Sequence, residues 1–225
     1  TLDRFYTAAL DWEPLTGILR RKIEKEQDVG EKVALLTRYG QIYLEQLDDS
    51  QESKKAFRRI IDELGVEQSP ALEGLEKICM DNGEWKELYE VCEKRIDIAE
   101  SDDEMAEIHA RLAQIASTGL DNPDRSIELW NKVMEIKGDD PAALEALSEL
   151  YEGLERYSDL VEILDRALMS ISEDADRIRM YEKLGTIWSV RLGRDRNALE
   201  CWDNVLAIEP GNTKALMAKA DLYEK

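Results

Sequence analysis

The sequence predicts an all-α fold, an α-solenoid built from antiparallel helix–turn–helix repeats. Two observations carry this expectation. Apolar residues recur at helical spacing from Leu15 to Leu222, and no segment alternates with period two for long enough to form a strand. The stretch from Leu184 to Glu224 also superimposes on the chain seventy-two residues earlier without a gap, and the copy before that carries a few extra residues around Asp49–Ser53. Leu184 falls on Leu112, Ile187 on Ile115, Trp202 on Trp130 and Leu216 on Leu144, and Leu222-Tyr223-Glu224 repeats Leu150-Tyr151-Glu152. Self-similarity at a fixed period marks units that stack to bury one another's apolar faces.

The elements follow in order. Leu2, Phe5 and Tyr6 give a short first helix, and Leu15, Ile18, Leu19 and Ile23 a second from about Trp12 to Gln27. Asp28-Val29-Gly30 breaks it, and the next helix runs from about Glu31 to Leu47 with Leu36 and Tyr39 on its apolar side. Asp48-Asp49-Ser50 turns the chain into a helix carrying Phe57, Ile60 and Ile61, which Gly65 ends. Ser69-Pro70 restarts the pattern with a cap residue and a proline whose missing N–H costs nothing in the first turn. Asn82-Gly83 closes that helix, and Trp85, Leu88 and Val91 line the return. Ser101 and Glu104 form a capping box, each expected to satisfy the other's amide. Asn122-Pro123, Asp140-Pro141, Glu155-Arg156, Asp174, Asp195 and Asn212 mark the starts of the remaining helices, the last still running at Lys225. The hairpins therefore span residues 30–66, 69–100, 101–138, 140–172 and 174–209, with partial units at 1–28 and 212–225.

Each seventy-two-residue period holds two unlike hairpins. One kind joins Leu112-Ala113 to Trp130, Leu184-Gly185 to Trp202, and earlier Tyr39-Gly40 to Phe57. The other joins Leu75 and Ile78 to Leu88 and Cys92, and Leu147-Tyr151 to Leu160-Leu164. With Ser126, Ala198 and Pro210 these residues resemble the tetratricopeptide repeat family, over nearly the whole chain. The resemblance implies a right-handed superhelix and close helix contact at each small residue. It also implies a concave groove lined by the first helix of every hairpin. Units of the second kind depart from the pattern, with Glu76, Ser148 and Ala220 where the family prefers glycine. The tryptophans at 12, 85, 130 and 202 recur with the repeat and are expected in the core, whereas Trp188 does not recur and is expected partly exposed.

Fifty acidic residues against thirty basic ones give a net charge of −20, which disfavours nucleic acid as a partner because phosphate binding requires a basic surface. No apolar run approaches a membrane span, so membrane insertion is not expected. Three scattered cysteines are too few for a disulfide framework and favour a reducing, cytoplasmic setting. The chain begins at Thr1, and it is expected to be a piece of a longer repeat protein.

Chemistry is sparse. His109, the single histidine, has no second ligand at metal spacing. Cys79 and Cys92 fall on facing helices of one hairpin and are expected to pack. Carboxylate clusters such as Asp102-Asp103-Glu104 sit at helix starts, where they complement the helix dipole. No catalytic residue, cofactor or metal site is expected. The expected role is a non-catalytic scaffold that binds a protein or peptide segment in the groove. The alternatives are homo-oligomerisation through the open ends of the solenoid and the regulatory arm of an enzyme. Residues on first helices that miss the apolar stripe are the groove candidates. Hairpins of the first kind offer Arg38, Gln41, Arg111, Gln114, Arg179, Lys183 and Thr186, and those of the second kind Glu73, Lys77, Glu145, Glu149 and Glu152. Guanidinium rungs can clamp carboxylates bidentately.

Overall fold

The computed structural model describes Tyr6, residues 8–66 and residues 69–224, the side chain of Ser69 excepted. The helix expected through Leu2 and Phe5, the Ser69 cap and Lys225 lie outside the described residues. Among those residues there are twelve α-helices and no strand. We number them α1 (Trp12–Lys25), α2 (Val29–Glu45), α3 (Ser50–Arg58), α4 (Ser69–Asn82), α5 (Trp85–Ile96), α6 (Asp102–Gln114), α7 (Pro123–Lys137), α8 (Pro141–Gly153), α9 (Tyr157–Ser170), α10 (Asp174–Thr186), α11 (Asp195–Ile208) and α12 (Thr213–Tyr223). They divide into two compact units, Thr1–Leu129 and Trp130–Lys225, the division falling within α7.

Helix starts coincide with short polar side chains because these accept the amides that the first turn leaves unpaired. Asp28 accepts from Glu31 N at 2.9 Å and Asp49 from Glu52 N at 3.0 Å. Asn122 accepts from Arg125 N at 3.1 Å, Asp140 from Ala143 N at 3.0 Å and Asn212 from Ala215 N at 3.0 Å. Asp28 is thus a cap rather than part of a break, and α2 begins at Val29. Ser101 accepts from Glu104 N as a capping box requires, but Glu104 reaches back to the amide of Glu100 instead of Ser101. The last helix stops at Tyr223, short of the expected end.

Three helices end in a π-helical turn that no sequence pattern announced: Arg59–Glu63 after α3, Ile115–Gly119 after α6 and Ile187–Arg191 after α10. The second and third stand seventy-two residues apart and close on Leu120 N→Ile115 O at 3.0 Å and Leu192 N→Ile187 O at 3.1 Å. The sequence period is therefore also a period of backbone irregularity.

In the first unit the core is a continuous apolar cluster. Leu15 and Leu19 of α1, Leu36 and Tyr39 of α2, Phe57 and Ile60 at the end of α3, and Leu72 and Leu75 of α4 are all buried in it. Phe57 has no exposed surface, and its ring lies against the backbone of both Gly40 and Gly74. A Cβ on Gly40 would come within 2.7 Å of Phe57 Cε1, so a larger residue there would force the helices apart. In the second unit Ala198, Trp202, Val205 and Ala215 are buried together, with Ile178, Tyr181 and Trp188 packed against them. A Cβ on Gly185 would stand 2.8 Å from Trp202 Cε2. The third small residue of this kind, Ala113, is buried beside Ser126, whose hydroxyl donates to Ala113 O at 2.8 Å.

Trp130 and Trp202 are buried as expected, but Trp85 is 39% exposed and Trp12 half-buried. Trp12 and Trp85 are the first residues of α1 and α5, where a side chain projects at the hairpin turn and is covered on one side. Trp130 and Trp202 stand in mid-helix. Trp188 is half-buried.

Candidate functional site

The second unit gathers half of the groove candidates. Glu145, Glu149 and Glu152 follow one another at spacings of four and three along α8 and form a single stripe. Across from it α10 carries Arg179, Lys183 and Thr186. Between α8, α9 and α10 lies a cavity of about 340 Å³, lined by Leu144, Leu164, Ala167, Ile171 and Met180, with Glu145, Glu149, Glu152 and Lys183 at its polar side. A second cavity of about 370 Å³ shares Glu152 and Lys183 and adds Tyr157, Arg179, Glu182, Thr186, Arg191 and Lys214.

The cations here are largely committed to the protein's own carboxylates. Lys183 Nζ stands 2.6 Å from Glu152 Oε2, Lys214 Nζ 2.7 Å from Glu182 Oε2, and Arg179 Nη2 2.9 Å from Asp176 Oδ1. Thr186 donates its hydroxyl to Glu182 O within its own helix, at 2.8 Å. Arg191 lies over the Tyr157 ring, 5.2 Å from its centroid. Glu145 and Glu149 are exposed, and among the described residues neither has a salt-bridge partner.

In the first unit Arg111 is committed as well. It pairs with Glu76 Oε1, while Arg95 Nη1 donates to Glu76 Oε2 at 2.6 Å. Glu76 is 3% exposed, so three helices, α4, α5 and α6, meet at a buried carboxylate flanked by two guanidiniums. Burial is the largest influence on Arg95 and would lower its pKa, but the hydrogen bond to Glu76 and the charges of Glu76 and Glu73 together outweigh it and hold it above the ordinary value. Arg111 and Gln114 border a cavity of about 480 Å³ with Met80, Trp85 and Leu88. Arg38 is half-buried and Gln41, Glu73 and Lys77 are exposed; none of the four lines these cavities.

Sequence reasoning met Glu76 only as a departure from a glycine, although it stands beside Leu75 in the apolar stripe Leu72–Leu75–Cys79. A charge on that stripe was the available signal, because a buried carboxylate needs a cationic partner. Arg95 carried no signal of its own.

One cluster has the donor types of a metal site: Cys79 Sγ and carboxylate oxygens of Glu84 and Glu87 lie within 4.8 Å of one another. Lys54 Nζ already donates to Glu84 at 2.5 Å and Glu87 at 2.6 Å, and Arg58 Nη2 to Glu87 at 2.7 Å. Burial pushes the Cys79 thiol up to about 12, leaving it protonated and a poor ligand. An ion would have to displace Lys54, and the cluster is best described as an interhelical ion network. Cys92 and Cys201 are likewise buried free thiols pushed up to about 12 by burial, and His109 is buried.

Comparison with known families decides what this repeat is. The family model described as tetratricopeptide repeat matches residues 71–106 and 143–178, two stretches that are themselves seventy-two residues apart. Those two stretches are tetratricopeptide repeats. The matched stretches are hairpins of the second kind, α4–α5 and α8–α9 with the start of the following helix, and not the hairpins of the first kind on which the resemblance in the sequence was expected to be closest. No curated protein sequence matches the chain. Among solved structures, YrrB, a tetratricopeptide repeat protein described as having an unusual peptide-binding site, is 14% identical with a TM-score of 0.50, over 90% of this chain and 97% of its own. A tetratricopeptide repeat protein from Parabacteroides merdae is 15% identical with a TM-score of 0.50, over 99% of this chain and 83% of its own. At these identities the likeness establishes the repeat fold. Among the described residues no helix is long and apolar enough to cross a membrane.

Proposed function

We propose that this chain is a non-catalytic binding module that holds a peptide segment of a partner protein against α8 and α10 of its second unit. The observation that carries the reading is the pairing of an apolar cavity with two unpaired carboxylates at its mouth. Leu144, Leu164 and Met180 offer apolar surface, while Glu145 and Glu149 have no internal counter-charge. A concave site lined by apolar side chains with a few directed polar groups is the form small binding sites take. The tetratricopeptide repeat fold supports it as a scaffold for protein–protein interaction, and YrrB shares that fold and is described by its peptide-binding site. Arg111 and Lys183, expected to clamp an acidic partner, are satisfied by Glu76 and Glu152, which moves the weight of recognition to the acidic stripe.

Selection of a random peptide library against the full chain tests this reading. Peptides should be recovered whose binding is lost in the double variant Glu145→Lys/Glu149→Lys. Recovery of no peptide, or of peptides indifferent to that variant, would reject a groove on α8. A second reading, self-association, has one observation in its favour: α12 exposes Leu216, Met217 and Tyr223 at 49, 69 and 71%. Sedimentation velocity over a concentration series decides it, since a monomer throughout excludes assembly through α12.

A further inference from the structure

We propose that the cavity between α8, α9 and α10 is a socket for one large apolar side chain carried on a basic peptide. It rests on the groove reading above and adds the chemistry of the occupant. The two copies of this hairpin within the chain differ at the residues that line the cavity.

Moving the cavity's lining back by seventy-two residues gives the corresponding positions of the first unit. Ser148 corresponds to Glu76, Ala167 to Arg95 and Lys183 to Arg111. In the first unit those three residues are the buried ion cluster, with Arg95 Nη1 2.6 Å from Glu76 Oε2 and Arg111 against Glu76 Oε1. In the second unit serine and alanine replace two long side chains, and Lys183 turns to Glu152 at 2.6 Å. Ser148 donates to Leu144 O within its own helix at 2.8 Å and reaches no further. The space is therefore open, about 340 Å³, and its floor is apolar: Leu144 and Leu164 are 4% and 3% exposed.

The mouth has changed in the same comparison. Glu73 and Lys77 of the first unit, four residues apart with opposite charges, become Glu145 and Glu149. Both are exposed, and neither has a salt-bridge partner among the described residues. With Lys183 neutralised by Glu152, the mouth presents uncompensated negative charge around an apolar hole. Lysine or arginine on either side of a leucine or phenylalanine is the complement of that surface. The chain's net charge of −20 would steer such a peptide toward it.

The test uses the full chain and a fluorescein-labelled hexapeptide, Lys-Lys-Leu-Phe-Lys-Lys, followed by fluorescence anisotropy. The variant Ser148→Glu/Ala167→Arg rebuilds in the second unit the pair that the first unit already accommodates, and so plugs the socket with an arrangement this fold tolerates. The native chain should bind the peptide. The plugged variant, and a peptide with alanines for its leucine and phenylalanine, should each bind about tenfold more weakly or worse, as expected when one large side chain loses its burial. Should the plugged variant fail to melt cooperatively by circular dichroism, Glu149→Lys, an exposed change, replaces it and should weaken binding with a reduced salt dependence. The socket is overturned if the native chain does not bind this peptide, or if the plugged, folded variant or the Glu149→Lys variant binds it undiminished. Library peptides that bind the plugged variant normally but not Glu145→Lys/Glu149→Lys would leave the groove standing and remove the socket. A library yielding no peptide would remove the groove itself.

Discussion

Glu76 is the residue whose removal tests the internal comparison most severely. Its carboxylate is 3% exposed and holds Arg95, whose side chain is 18% exposed, and Arg111, whose side chain is 41% exposed. Glu76→Ser leaves the Arg95 guanidinium with Glu104 at 3.8 Å and the charge of Glu73 as its remaining counter-charges. Breaking a buried pair in this way costs about 3–5 kcal/mol when the orphaned charge is fully buried. Arg95 keeps some solvent contact and Arg111 can turn to water, so about 2–4 kcal/mol is expected. Removing Arg95 as well deletes the orphan and reproduces the Ser148 and Ala167 of the second unit. Glu76→Ser/Arg95→Ala should therefore lose less than the sum of the two single changes, by a coupling of about 1–3 kcal/mol. Urea unfolding of the full chain followed by ellipticity at the helical band gives the energies, and amide exchange in α4 and α5 assigns them to the first unit. Additivity within about 0.5 kcal/mol would show that the three side chains do not act as a cluster, and would refute the reasoning.

Other expectations follow from the same geometry. Gly40→Ala should destabilise by about 1–2 kcal/mol, since the added Cβ meets a Phe57 ring that Gly74 already holds from another side, and overpacking exceeds the gain in helix propensity. Gly17→Ala, in α1 with nothing within 4 Å of the added Cβ, should stabilise by about 0.5–1 kcal/mol; thermal melts that give both changes the same sign would contradict the packing described. Glu155 adopts φ 56° where Gly83, at the equivalent turn, adopts φ 68°. Glu155→Gly should raise stability by about 0.5–1 kcal/mol in the same melts, and a loss would show that the glutamate is not strained there. Alkaline pH should weaken the fold. Burial raises Cys79, Cys92 and Cys201 from an ordinary 9.0 to about 12, and Tyr39 from 10.0 to about 12. As pH rises above 9.0 the unfolded chain releases these protons while the folded chain keeps them. The unfolded state then binds fewer protons and stability falls toward pH 12. Urea midpoints that hold steady or rise between pH 8 and about 10 would contradict that assignment.

The helical hairpins were legible in the sequence because what makes them is local or periodic. Asp140-Pro141, Asn122-Pro123 and Asn212 start helices through a hydrogen bond three residues away, and a pattern three residues long can be read directly. The contacts of Phe57 with Gly40, and of Trp202 with Gly185, were foreshadowed by the seventeen-residue spacing of aromatic and small residues. Trp85 was misread because its place in the repeat says nothing of its place in the helix, and a first-turn side chain is covered on one side. The π-helical turns escaped because they depend on how a helix end fits its neighbours, and Ile115 and Ile187 sit in ordinary helical spacing. Of the groove candidates, the stripe on α8 was readable from spacing. The commitment of Arg111 and Lys183 was not, since Glu76 and Glu152 stand more than thirty residues away in the chain.

The most direct test of a peptide groove on the second unit is amide chemical-shift mapping of the full chain with a library-selected peptide bound. The perturbed amides should cluster on α8 and α10, around Glu145, Glu149 and Lys183. Perturbations confined to the surroundings of Glu162 of α9 and Asp203 of α11, both exposed, with α8 and α10 unmoved, would contradict it.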